Sequence, residues 1–338
     1  MRSVRLRHLA AVVLSFAAVA TALAACGDAS EVAPPPATPS VTATPLALDG
    51  GAEASTATSS DAGSDAADAG ETASGPCPAD MLYVDATYCD QMERRCLKDE
   101  YDKPNHLTIC HEFAEQQRCT GKERRQRFCI DRYEYPNEKG AHPPVMVDWY
   151  DAAGACASVG KRLCWESEWV TACEGPEKLP FPYGRKRDPK ACNIDNAWVG
   201  PNLDAVYSPK PEVQDAELRR LDKSKPSGAM EGCQSGFGVH DLTGNFDEWV
   251  LAEQEVGESK WARLKGGAWG HVRNACRPYT TSHPPEFTYY FISFRCCADA
   301  RPEPGMRDGA DGYWKPPPPP DKPDPSGKPS PGWTPKRR

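Results

Sequence analysis

Toward the C-terminal end of the chain, His271 and Cys276 stand five positions apart in the run Leu264-Lys-Gly-Gly-Ala-Trp-Gly-His-Val-Arg-Asn-Ala-Cys-Arg277. Imidazole and thiolate are both ligands for soft or borderline metals such as copper. The thiolate is the metal-binding form of cysteine and also its nucleophilic form. A disulfide is the competing use of Cys276. The chain has 15 cysteines, and 14 of them lie between Cys77 and Cys297. An even set of that size in an exported chain is normally paired. Each bridge contributes roughly 2–4 kcal/mol by constraining the unfolded state. No Cys-x-x-Cys knuckle is present to suggest structural zinc. Both fates of Cys276 stay open at this level.

Export is expected from the first residues. Arg2, Arg5, Arg7 and His8 make a basic start, and Leu9 to Ala22 is an apolar run too short to span a bilayer. Leu23-Ala24-Ala25-Cys26 then resembles the lipobox of bacterial lipoproteins, in which the cysteine is acylated and becomes the mature N-terminus. Residues 1–25 are thus read as a lipoprotein signal peptide and Cys26 as the lipidation site. Acyl chains contribute about 0.8 kcal/mol per buried methylene, so several give a stable membrane anchor. The expected location is the cell envelope.

Residues 26–76 form an Ala/Ser/Thr/Pro/Asp linker. From residue 27 on it holds no aromatic residue, Lys or Arg, and carries eight acidic side chains. Such a segment cannot bury enough apolar surface to order itself. Its charge equals the net charge of the whole chain, −8. The remainder is near neutral, so no nucleic-acid footprint is present. Residues 302–338 form a second tail, with five prolines after Lys315, expected to be extended polyproline II. One folded domain, 77–301, lies between them.

Within that domain Met81-Leu-Tyr-Val84 reads as an opening strand, and 89–128 as a Cys-rich, disulfide-held insertion. Phe128–Asn137 reads as a strand ending in a Pro-Asn turn. Asp148 can cap a helix from Trp149 to Val159, stopped by Gly160. Glu166–Cys173 is a second helix, ended by Gly175-Pro176. Later segments are short and rich in Gly and Pro. A disulfide-rich α+β domain with little regular structure is predicted.

Several blocks then resemble, in order, those of the formylglycine-generating (sulfatase-modifying factor) enzyme family. They are Ile130-Asp-Arg-Tyr-Glu134, Pro144 to Ala152, Gly160-Lys-Arg-Leu163 with Glu168-Trp169, and Pro182-Tyr-Gly184. Phe237 to Trp249, with its Gly-Asn-x-x-Glu-Trp ending, is the most specific, followed by Gly266-Gly267-Ala268-Trp269 and Phe294-Arg295. The resemblance implies that family's fold, which is related to C-type lectin modules. It implies structural calcium held near Asn193-Ile194 and Asn245/Glu248, with Asp222 as an intervening acid. It also implies a bridge from the second helix to the Phe-Arg-Cys motif, Cys173 to Cys296, with the adjacent Cys297 as the alternative one residue on.

The implied activity is copper-dependent oxidation of a protein cysteine to formylglycine by two cysteines five residues apart. This chain departs from that pattern. Cys276 matches the second cysteine, His271 replaces the first, and Ala268 stands where active members carry Ser. The favoured reading is an envelope lipoprotein with a formylglycine-generating-enzyme-like domain lacking the two-cysteine copper site. The alternative is an oxidoreductase acting through Cys276 with His271. A non-catalytic binding domain and a structural role are the other uses such a fold allows. Partners beyond the membrane are not specified by the sequence.

Overall fold

The computed structural model describes residues 75–301 together with Tyr313 and Lys315. All lie in one compact unit, Asp68–Arg338. The leader, Cys26, the linker through residue 74 and most of the 302–338 tail lie outside the described residues.

The domain is α+β. A four-stranded sheet has the order β1-β4-β10-β5. In it β1 (Met81–Cys89) and β4 (Glu123–Asp131) pair antiparallel along their whole length, from Met81↔Asp131 to Cys89↔Glu123. Between them β2 (Met92–Asp102) and β3 (Leu107–Cys119) form a two-stranded hairpin. Cys89–Cys119 and Cys96–Cys110 bridge it. The cysteine-rich stretch between β1 and β4 is thus largely this arm. The strand expected to run to a Pro-Asn turn ends earlier, at Asp131, and the backbone turns through Tyr135–Asn137.

Helix α1 (Trp149–Ser158) begins where Asp148 accepts the Asp151 amide at 2.7 Å. Its buried face is Trp149, Ala152, Ala155 and Cys156, and Val159 is the exposed C-cap. Strand β5 (Arg162–Leu163) leads to α2 (Glu166–Glu174), where Glu168 accepts the Trp165 amide at 2.9 Å. Every residue of α2 is buried, its polar ones included.

Two further helices were not apparent in the sequence, α3 (Leu203–Val206) and α4 (Pro211–Leu221). The second sheet, β8-β7-β6-β9, is built from β6 (Asp247–Val256), β7 (Lys260–Lys265), β8 (Tyr279–Thr280) and β9 (Ile292–Phe294). β6 and β9 run parallel. β9 is followed after one residue by β10 (Cys296–Asp299) of the first sheet. The chain therefore crosses between sheets at Arg295.

Tryptophans fill the core. Trp149 Nε1 donates to Val250 O at 3.2 Å and Trp249 Nε1 to Val147 O at 3.0 Å, so each ring's polar edge is satisfied. Trp165, Trp169 and Trp269 are buried as well.

Candidate functional site

Where β7 ends, Gly266 and Gly267 take φ of 89° and 69°. A Cβ on Gly266 would come within 2.9 Å of Leu242 O, so both conformation and space require glycine there. The turn swings the chain back over β6, and the Gly267 amide donates to Asp247 Oδ1 at 3.0 Å.

The following loop is held from two sides. Asn274 is fully buried, and its amide reaches the carbonyls of Gly266, Gly267 and Ala268 at 3.3, 2.9 and 2.9 Å. Arg187 donates to Asn274 Oδ1 at 2.9 Å and to the carbonyls of His271, Val272 and Asn274 at 3.2–3.4 Å. Its other edge binds the Asp195 carboxylate. Four oriented bonds from one guanidinium fix the loop that carries His271.

His271 is thereby set with Nδ1 3.2 Å from Asp247 Oδ2, its ring edge-on to Phe291 at 4.5 Å. The separation is an ion-pair distance, although the ring N–H is not aligned for a hydrogen bond. The pair lies on the wall of a cavity of about 460 Å³. Tyr207, Phe287, Tyr289 and Phe291 give the cavity an aromatic lining, and Arg273, Thr280 and His283 add polar groups. His283 stacks on Phe287 at 3.9 Å, and burial lowers its pKa toward the neutral imidazole.

Cys276 lies at the far end of the loop and is bonded to Cys173 of α2, with Cα atoms 5.5 Å apart. This corrects the pairing expected from the resemblance. Cys296 is joined to Cys156 of α1, and Cys297 to Cys164. The reason is the pleat of β10, whose Cys296 and Cys297 lie opposite Leu163 and Arg162. Adjacent strand residues face opposite sides of a sheet, so the two cysteines reach different elements, leaving Cys173 to Cys276. All 14 cysteines from Cys77 to Cys297 are paired. A sulfur in a bridge offers no thiolate, so His271 and Cys276 as they stand do not fit a copper ion.

The residues expected at calcium are otherwise engaged. Glu248 and Arg295 form a bidentate pair at 2.6 and 2.8 Å, both buried, and Trp169 Nε1 adds a third bond to Glu248 at 2.8 Å. Asn245 Oδ1 accepts from Lys225 N at 2.8 Å and Asn193 Nδ2 at 3.0 Å. Its Nδ2 donates to Glu134, whose pKa is held well above the usual range by burial and then by Asp241 and Glu248.

Asn193 Oδ1, Ile194 O and Trp269 O converge on one amide nitrogen, Asn196 Nδ2, at 2.9, 3.4 and 3.2 Å. Asp222 Oδ1 accepts from the Ser224 amide and hydroxyl at 2.9 and 2.6 Å. A hard cation needs six to eight free oxygens. Here the oxygens of Asn193, Ile194, Asn245 and Glu248 each accept a protein hydrogen bond. Asn196, Asn274, Arg187 and Asp247 are the organising residues that sequence reading missed. Only Asn196, three positions after Asn193, gave a local signal.

Similar proteins are known. A bovine (Bos taurus) protein named inactive C-alpha-formylglycine-generating enzyme 2 is 30% identical over 175 residues, covering 50% of this chain and 54% of the relative. The formylglycine-generating enzyme of Mus musculus is 28% identical over 179 residues, covering 48% and 45%. The chain thus spans about half the length of these curated relatives. Among solved structures, that of CarF aligns over 64% of this chain and 98% of its own, at 14% identity and a TM-score of 0.38. The family model described as the sulfatase-modifying factor enzyme 1-like domain matches residues 86–300. With well over half of its length matched, the chain belongs to the sulfatase-modifying factor (formylglycine-generating-enzyme-like) family.

Proposed function

We propose that this chain is a cell-envelope lipoprotein whose formylglycine-generating-enzyme-like domain binds a ligand in the His271–Asp247 cavity and does not oxidise protein cysteines. The observation that carries the reading is the Cys173–Cys276 bridge. It engages the one cysteine that aligns with the family's catalytic pair, and the other position is a histidine held against a carboxylate. A relative named as an inactive formylglycine-generating enzyme is consistent with it. Losing even ~4 kcal/mol of transition-state stabilisation slows a reaction about a thousandfold. The envelope location rests on the Leu23-Ala-Ala-Cys26 motif.

The test is to supply the purified protein with Cu(I) under mild reductant and a Cys-x-Pro-x-Arg peptide, and to look for aldehyde by mass spectrometry. No turnover is expected. Turnover that vanishes in Cys276→Ala would establish the oxidase instead. Cys26→Ser should release the protein from detergent-free membranes, and a mutant that still pellets would remove the anchor.

A further inference from the structure

The cavity beside His271 contains a cation that no described residue engages. The Arg273 side chain lines it and makes no hydrogen bond or ion pair with any described residue. Arginine stays charged in proteins and presents a planar fork of donors matched to a carboxylate. Asp247, the one carboxylate of the cavity wall, is already engaged. Its Oδ1 takes the Gly267 amide at 3.0 Å and its Oδ2 faces His271 at 3.2 Å. The Nδ1 edge of His271 is therefore turned to Asp247, and Nε2 is the ring's remaining polar atom. His283 and Thr280 add polar groups but no further negative charge.

The rest of the surface is apolar. Tyr207, Phe287 and Tyr289 form walls, and Ile292 and Leu264 are buried in the lining. A volume of about 460 Å³ is in the range of small-molecule pockets.

We propose that this cavity binds a small organic acid with an aromatic or apolar body. Its carboxylate lies on Arg273 and the imidazole side of the pocket, and its body lies between Tyr207, Phe287 and Tyr289. The proposal rests on the non-catalytic binding reading and gives it a ligand class. An amine is the alternative that aromatic walls alone would suggest. It is disfavoured because the only carboxylate is engaged and the unpaired charge is positive.

The experiment uses the full chain with phenylacetate and benzoate as probes. Benzylamine and benzyl alcohol serve as cationic and neutral counterparts of the same size. Binding is followed by ligand-observed NMR and titration calorimetry. The acids should saturate at least about tenfold more tightly than the counterparts, and Arg273→Gln should weaken them about tenfold or more, the value of one charge-assisted bond. Arg273 has no partner to lose among the described residues, so this variant should keep the fold, which circular dichroism checks. Phe287→Ala should weaken acids and alcohol alike. Binding of the amine or alcohol as tight as the acids overturns the proposal, as does indifference of the acids to Arg273→Gln or failure of both acids to saturate. Aldehyde formation in the copper assay with acid binding intact would instead remove the non-catalytic reading alone.

Discussion

Cys173, in the last turn of α2, is bonded to Cys276, 103 residues later, and so ties the most buried helix to the end of the loop that carries His271. Non-reducing peptide mapping should recover Cys173–Cys276, Cys156–Cys296 and Cys164–Cys297, with no free thiol from Cys77 to Cys297. Replacing both Cys173 and Cys276 by alanine should lower stability by about 2–5 kcal/mol in urea. Recovery of a Cys173–Cys296 peptide would restore the pairing drawn from the resemblance.

Arg295 marks the crossing from β9 to β10, and Glu248 on β6 receives it with two bonds. The pair therefore joins the two sheets at a buried corner. Arg295→Met should cost about 3–5 kcal/mol, because it leaves a carboxylate buried without its counter-charge. Adding Glu248→Gln should recover part of that loss. A double variant no better than the single one would show that the lost bonds and packing of Arg295, not the unpaired carboxylate, set the cost.

Lys265 is fully buried, and burial first of all pushes its pKa down to about 8 despite the nearby Glu166. The unfolded chain holds that proton up to about pH 10.4. Between about pH 8 and pH 10 the unfolded state thus binds more protons, and stability should rise with pH through this window. Denaturation series at pH 7.5, 8.5 and 9.5 should show the rise in the parent protein and its absence in Lys265→Met. An identical slope in both would assign the effect to another group.

Asn196 donates to three oxygens that a cation would otherwise share. Chelation with EGTA should therefore leave the thermal midpoint unchanged, whereas Asn196→Ala should cost about 1–3 kcal/mol by leaving buried acceptors unpaired. A drop of several degrees on chelation, reversed by calcium, would show that a cation competes successfully with the amide.

What the sequence made legible was mostly local. Asp148 announces α1 because an N-cap is a contact between residues three apart. The Gly266-Gly267 turn is readable because only glycine takes its backbone conformation without strain. Helix α4 escaped notice because its apolar residues are sparse, although Pro211 at its first turn and Arg219 and Arg220 at its last are signals for such an element. The cavity was not legible. Asp247, His271, Tyr207 and Phe287 come from four segments brought together only by the parallel β6–β9 pairing and the loop that Arg187 and Asn274 hold. The bridges of Cys296 and Cys297 depend on which face of β10 each occupies, a property of strand register rather than of spacing.

The β2–β3 arm has a last consequence. The ladder between β1 and β4 is complete out to Cys89↔Glu123, and Cys89–Cys119 closes the neck of everything beyond it. The arm is also docked on the domain: Phe113 N donates to Arg185 O and Arg187 N to His111 O, both at 2.9 Å, and Phe113 packs edge-on to Phe181. Its one ion pair to α2, Arg94–Glu174, duplicates a contact that Arg277 makes to the same carboxylate. A tight turn in place of residues 90–122 would leave the ladder in register but strip the backbone bonds that β3 makes to the segment carrying Arg187, the residue that holds the His271 loop. The arm's exposed tip, residues 103–106, is therefore where length and surface chemistry can be rewritten, while the base of the arm is part of what supports the loop.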